Sequence, residues 1–278
     1  MNFIPGISEK FNHILSKATP FVFSYPPNWK YFDLNPFGIK IPQKNHISCI
    51  DARNERFFDL LHSLDGLAFG PVGMPMDKWV FFDCGEMPGG IFGFGLKANE
   101  LNEVARKEYK VDPDYPGIIP ISMYIAIPMV GGKMWFGHNL SSANRVLDGN
   151  FSGLGLLTKA IGLKVFKINT MLGATQWDSK ALHIHLQLDD VHLESAYTPA
   201  HTFKNTMTYR SEYSDEKILR ALSGVPRVAE SWDFLHPTDD DQASISLQKR
   251  IAEKGEKFSI VGRPLVRDGK DWLPIKQN

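Results

Sequence analysis

Cysteine is scarce. Cys49 and Cys84 are the two in 278 residues, far apart and without a Cys-x-x-Cys pair, so neither a disulfide framework nor a thiolate metal site is expected to organise the chain. Both are read as buried thiols in a reducing compartment. A charge excess of either sign is also missing. Lysine plus arginine number 31 and aspartate plus glutamate 31, which removes the positive field that nucleic acid or an anionic membrane would draw on. Neither partner is expected. The longest apolar run, 117–132, is broken by Pro120 and Pro128 and falls short of the about 20 residues that cross a bilayer. The first six residues have no basic lead, and Glu9 and Lys10 place charges where an apolar run would have to continue, so no secretory signal is expected and the location is read as cytoplasmic.

Several catalytic signatures are lacking as well. There is no Gly-x-x-x-x-Gly-Lys phosphate loop and no Gly-x-Ser-x-Gly elbow, which argues against nucleotide cofactors and serine hydrolysis. No cofactor is expected. Residues 89–95 are rich in glycine, a composition that fits close backbone packing within a strand. What the chain has in quantity is apolar surface, 43% hydrophobic and 12% aromatic residues, enough to bury a large core without metals or disulfides. A single domain over 1–278 is expected, with an N-terminal helix and arm at about 1–45 and a helical C-terminal region at about 212–278.

Apolar residues at helical spacing predict helices over 8–16, the stretch after Asp51 (Phe57, Phe58, Leu60, Leu61, Leu64), 97–109, 154–161, 215–222 and 240–252. Strands are predicted over 46–50, 79–83, 91–95, 118–129, 133–136, most of 163–209, and 258–261. The proline- and aromatic-rich 20–42 reads as an arm wrapped over the surface. This order fits an α+β fold with a mainly antiparallel, strongly curved β-sheet or barrel and peripheral helices.

The clearest period-two pattern is Leu182-His183-Ile184-His185-Leu186-Gln187-Leu188, continued after Asp189-Asp190 by residues 191–197. Folded as a hairpin, it gathers His183, His185, Gln187, His192 and Glu194 on one face. That face is a solvated surface, the polar lining of a cavity, or a metal site. A metal site needs three or four convergent ligands, and the spacing beyond His-x-His does not supply them. No metal is assigned in the main reading. A metal-dependent β-barrel enzyme using His183, His185 and His192 stands as the alternative.

Residues 137–145, Gly-His-Asn-Leu-Ser-Ser-Ala-Asn-Arg, resemble an active-site segment of the acetoacetate decarboxylase-like superfamily. So do Asp190-Val191-x-Leu193-x-x-Ala196-Tyr197-Thr198 and the strand 46–50 followed by Asp51. The resemblance implies a barrel cavity for a small keto or carboxylated compound, lyase-like chemistry and a homo-oligomer. Arg145 stands where that family keeps a Schiff-base lysine. A guanidinium keeps its proton and cannot form an imine, so decarboxylation through a lysine is expected to be absent. Lys133, Lys159, Lys164 and Lys167 are read as ordinary surface lysines. Arg145 is instead expected to clamp a carboxylate, with His138 and Glu86 as proton-transfer groups. Asn139, Tyr197, His185 and Glu194 are expected to bind substrate in the same cavity. A small-molecule-binding protein without turnover is a third reading.

Overall fold

The computed structural model describes residues 4–38, 47–86, 89–148, 151–229 and 231–278. The chain divides into two compact units, 1–129 with 137–168, and 130–136 with 169–278.

In the first unit, helix α1 (Glu9–Lys17) buries Phe11, Ile14 and Leu15. Strand β1 (Thr19–Ser24) comes next, buried at every residue but the first. The surface arm expected here is thus corrected. Phe21 and Phe23 are fully buried, and Phe21 meets Phe57 edge to face at 4.9 Å between ring centres. After β2 (Ser48–Asp51) comes α2 (Glu55–Phe69), capped by Asn54, its side-chain oxygen accepting from the Phe57 amide at 3.0 Å. His46, at the start of the expected first strand, lies outside the described residues.

Helix α3 (Lys78–Glu86) replaces the expected strand 79–83. Helical spacing there turns Phe81 and Cys84 inward and leaves Trp79 and Phe82 exposed. Strand β3 (Gly90–Lys97), α4 (Glu103–Tyr109), β4 (Ile118–Pro128), β5 (Trp135–Ser142) from Gly137 onward, and α5 (Leu154–Val165) complete the unit. Its strands are ordered β5-β4-β3-β1-β2, with β1 and β2 parallel and β3 antiparallel to both β1 and β4. The glycines of β3 serve this packing. A Cβ at Gly93 would lie 2.0 Å from the Ser122 carbonyl and 2.6 Å from the Phe21 ring.

The second unit contains β6 (Thr170–Gln176), α6 (Lys180–Leu188), β7 (Val191–Ser195), β8 (Thr206–Glu212), α7 (Asp215–Leu222), β9 (Phe234–Pro237), α8 (Asp241–Lys254), β10 (Phe258–Ile260), β11 (Leu265–Arg267) and β12 (Lys270–Gln277). Its strands run β11-β12-β10-β7-β8-β6, and β9 pairs with β12. The expected hairpin is absent because 182–188 lie in α6. Ser179 caps that helix, and Leu182, His185 and Leu186 are buried at i, i+3 and i+4.

Neither order of strands returns on itself, and the parallel β1–β2 pair makes the sheet mixed. The antiparallel, strongly curved barrel is therefore corrected to an open mixed sheet. The segment that was to supply a polar barrel wall is helical. Among the described residues, no helix is long and apolar enough to cross a membrane.

Candidate ligand site beside strand β5

Along β5 the side chains alternate. Asn139 and Ser141 are buried, whereas His138 is exposed on the opposite face. Desolvation nevertheless lowers the His138 imidazole from its ordinary value. Asn139 donates to Asp65 Oδ1 at 2.9 Å, and Ser141 Oγ donates to Asn139 Oδ1 at 2.5 Å. The other Asp65 oxygen accepts from the Met76 amide at 2.6 Å. Asp65 has no exposed surface, sitting on the apolar face of α2 with Phe57, Phe58, Leu60, Leu61 and Leu64. Burial raises its carboxyl above the usual carboxylate range, while the bonds from Met76 and Asn139 pull the other way. The network ties α2 to β5 with both carboxylate oxygens satisfied.

Beyond β5 the chain makes a turn that carries Arg145. The Val146 amide bonds the Ala143 carbonyl at 2.9 Å, and the Ala143 amide bonds Ile121 of β4 at 2.8 Å. Asn102, the cap of α4, accepts from the Ala105 amide at 2.7 Å and donates to the Val146 carbonyl at 2.9 Å. A pocket of about 330 Å³ opens beside this turn, its apolar walls formed by Leu67, Pro71, Ala143 and Val146, and its two charged members Arg145 and Glu108. Both charged residues are exposed, and neither makes an ion pair within 4.0 Å among the described residues.

Helix α5 begins close by in sequence. Its N-cap is Gly153 at φ +89°, without a capping side chain and without an acidic residue in the first turn. The first N–H groups of an α-helix lack intrahelical acceptors and carry the positive end of the helix dipole, so such a start suits an anion. Further along α5, Lys159 is fully buried, contrary to its reading as a surface lysine. Burial holds its amine well below the usual lysine range.

The other expected site residues do not join this group. Glu86 closes α3 instead of standing at a strand end, and its side chain lies outside what is described. His185, Tyr197 and Glu194 belong to the second unit, whereas His138, Asn139 and Arg145 belong to the first. His185 is buried against Tyr209, ring centres 5.3 Å apart. Glu194 is exposed and pairs with Arg210 at 3.4 Å, and Tyr197 is half-buried. His183 is exposed on α6, and His192 bonds Ser259 through Nδ1 at 2.7 Å. A three-histidine metal centre is thereby corrected, since a helix and a strand separate residues that one face was to collect. Among the described residues, no three His, Cys, Asp or Glu side chains are placed to hold an ion.

No family model and no curated protein matches the chain. Among solved structures, it is similar to the NatC complex bound to Gag peptide and CoA, at 11% identity and TM-score 0.40, over 59% of this chain and 96% of that one. It is similar also to aminoglycoside 6'-acetyltransferase type Ii, at 13% identity and TM-score 0.39, over 59% and 94%. A third is a putative acetyltransferase from Acinetobacter baylyi, at 12% identity and TM-score 0.37, over 58% and 88%.

The resemblance to the acetoacetate decarboxylase-like superfamily is corrected on this chain's own geometry. The sheet is open, the matched segments fall in two units, and the segment bearing His138 and Asn139 is itself strand β5. The lyase and barrel-cavity expectations fall with it.

Proposed function

We propose that the chain is an acetyltransferase whose donor, acetyl coenzyme A, places its phosphates at the start of α5. The observation that carries this is the glycine-led, acid-free first turn of a 12-residue helix following strand β5, which has no capping side chain; the Leu154 amide bonds the Phe151 carbonyl at 3.0 Å, and the amides after it face the helix start. That arrangement offers backbone N–H groups and a positive dipole to a phosphate. The reaction class is the one named for the similar acetyltransferases. This departs from the expectation of no cofactor, which leaned on the missing lysine of a phosphate loop. A helix start needs no such lysine to favour an anion.

The bound thioester would supply an activated acetyl carbonyl. An acceptor amine would form the C–N bond as the C–S bond breaks, with the proton lost by nitrogen ending on the departing thiolate. The chain's part is to hold the donor phosphates at α5, while the Asp65, Asn139 and Ser141 bonds fix β5 against α2.

Calorimetric titration with acetyl coenzyme A tests the proposal. Ser152 is exposed and immediately precedes the Gly153 cap, so Ser152→Asp puts a carboxylate where phosphate would sit and leaves the fold intact. Micromolar binding that weakens on the order of tenfold in S152D is expected. No binding to the unaltered protein, or equal binding to S152D, overturns it.

A further inference from the structure

The pocket of about 330 Å³ beside the Arg145 turn combines features that define a ligand. Arg145 and Glu108, of opposite sign, line the same concavity from a turn and from α4, with apolar Leu67, Pro71, Ala143 and Val146 around them. The two charges make no ion pair with one another or with any other described residue. Opposite charges lining one pocket would gain from closing on each other or on a molecule bearing both signs. The turn is pinned by the Ala143 and Val146 amides and by Asn102, so the Arg145 side chain extends from a fixed backbone.

We propose that this pocket binds a zwitterionic amino acid with an apolar side chain, its carboxylate on Arg145 and its ammonium on Glu108. A planar guanidinium meets a carboxylate through two parallel hydrogen bonds. A carboxylate accepts the N–H groups of an ammonium. The apolar walls take up the side chain, and the volume suits one as large as a benzyl group. Resting on the donor site proposed above, such a ligand would be the acceptor: its ammonium first releases one proton to solvent beside the exposed Glu108 carboxylate, and the neutral amine so formed is acetylated, its second proton passing to the departing thiolate. Binding itself requires only the pocket.

The experiment is calorimetry on the whole chain without acetyl coenzyme A, using L-phenylalanine, hydrocinnamate, which lacks the amine, and phenethylamine, which lacks the carboxylate. L-Phenylalanine is expected to bind at least about tenfold more tightly than either analogue. Arg145→Gln should erase its advantage over phenethylamine, and Glu108→Gln its advantage over hydrocinnamate. Both substitutions are at exposed positions, and thermal melting should stay within about 2 °C of the unaltered protein.

Absence of L-phenylalanine binding, or variants that bind all three probes as the unaltered protein does, overturns the site. A parallel titration with acetyl coenzyme A separates the two proposals. Donor binding without amino-acid binding removes the pocket assignment alone. Amino-acid binding without donor binding supports the pocket and removes the acetyltransferase.

Discussion

Each unit buries a polar group, and the two do so by different means. In the first, Asp65 is sealed between α2 and β5 with one oxygen on Asn139 and the other on Met76. In the second, His236 of β9 is 3% exposed, and neither ring nitrogen reaches hydrogen-bonding geometry with a described residue. It lies flat on Trp177, ring centres 4.0 Å apart and planes 17° from parallel. Hydrogen bonds keep a buried carboxylate tolerable and rigid, whereas stacking holds a buried imidazole only in its neutral form. Burial accordingly lowers the His236 pKa to about 4, against weaker opposing contributions from the backbone at Pro237 and Ala243 and from Asp240. The first solution builds a stiff wall, and the second makes its unit sensitive to acid.

The contrast is broken most sharply by Trp177→Ala. Trp177 is 1% exposed and donates to the Ala196 carbonyl at 2.8 Å, so its removal leaves a large cavity and strips His236 of its stacking partner. A loss of about 3–5 kcal/mol in urea unfolding is expected, and a loss below 1 kcal/mol would show that the stack is incidental.

Acid sharpens the same contrast. A histidine whose folded pKa lies below its ordinary 6.5 gives its full contribution above that value and loses it as pH falls toward about 4. Stability should decline over this window by up to about 3 kcal/mol. His236→Phe, which keeps the stacked ring, should flatten the decline. An unchanged pH profile in that variant would remove His236 as its cause.

Asn139→Ala tests the other side. It leaves Asp65 Oδ1 and the Ser141 hydroxyl without the partner they share, at a cost of about 1–3 kcal/mol. Because Asp65 loses a bond that favours its charged form, its carboxyl should titrate still higher, which carbon-detected NMR titration can follow. No shift in that titration would mean that Asn139 does not govern the buried carboxylate.

Local chemistry made part of this structure legible. Ser214 and Asp240 cap α7 and α8, helices that begin and end within two residues of where apolar spacing puts them. Residues 182–188 satisfy both periods. Alternation selects every second residue, yet Leu182, His185 and Leu186 equally mark a helical face, and Ser179 was the cap that decides between them. The strand misreading of 79–83 has the same origin, since a short apolar run carries no period of its own.

At the candidate site, Asn139 and Arg145 stood out from sequence, but on a resemblance that the fold does not share. Asp65 was missed although a signal existed. It falls four residues after Leu61 on an otherwise apolar helix face, where a carboxylate demands partners. Glu108 had no such signal, because only the packing of α4 brings it to the Arg145 turn. Local patterns report caps and faces, and convergence across distant segments is decided by tertiary packing.

Asn102 has a role beyond ending a helix. With one side-chain oxygen it starts the helix that carries Glu108, and with the nitrogen of the same amide it grips the carbonyl next to Arg145. A single planar group thus joins the helix that carries the anion to the turn that carries the cation. In the proposed pocket, the backbones behind both charges are tied by a residue outside its lining.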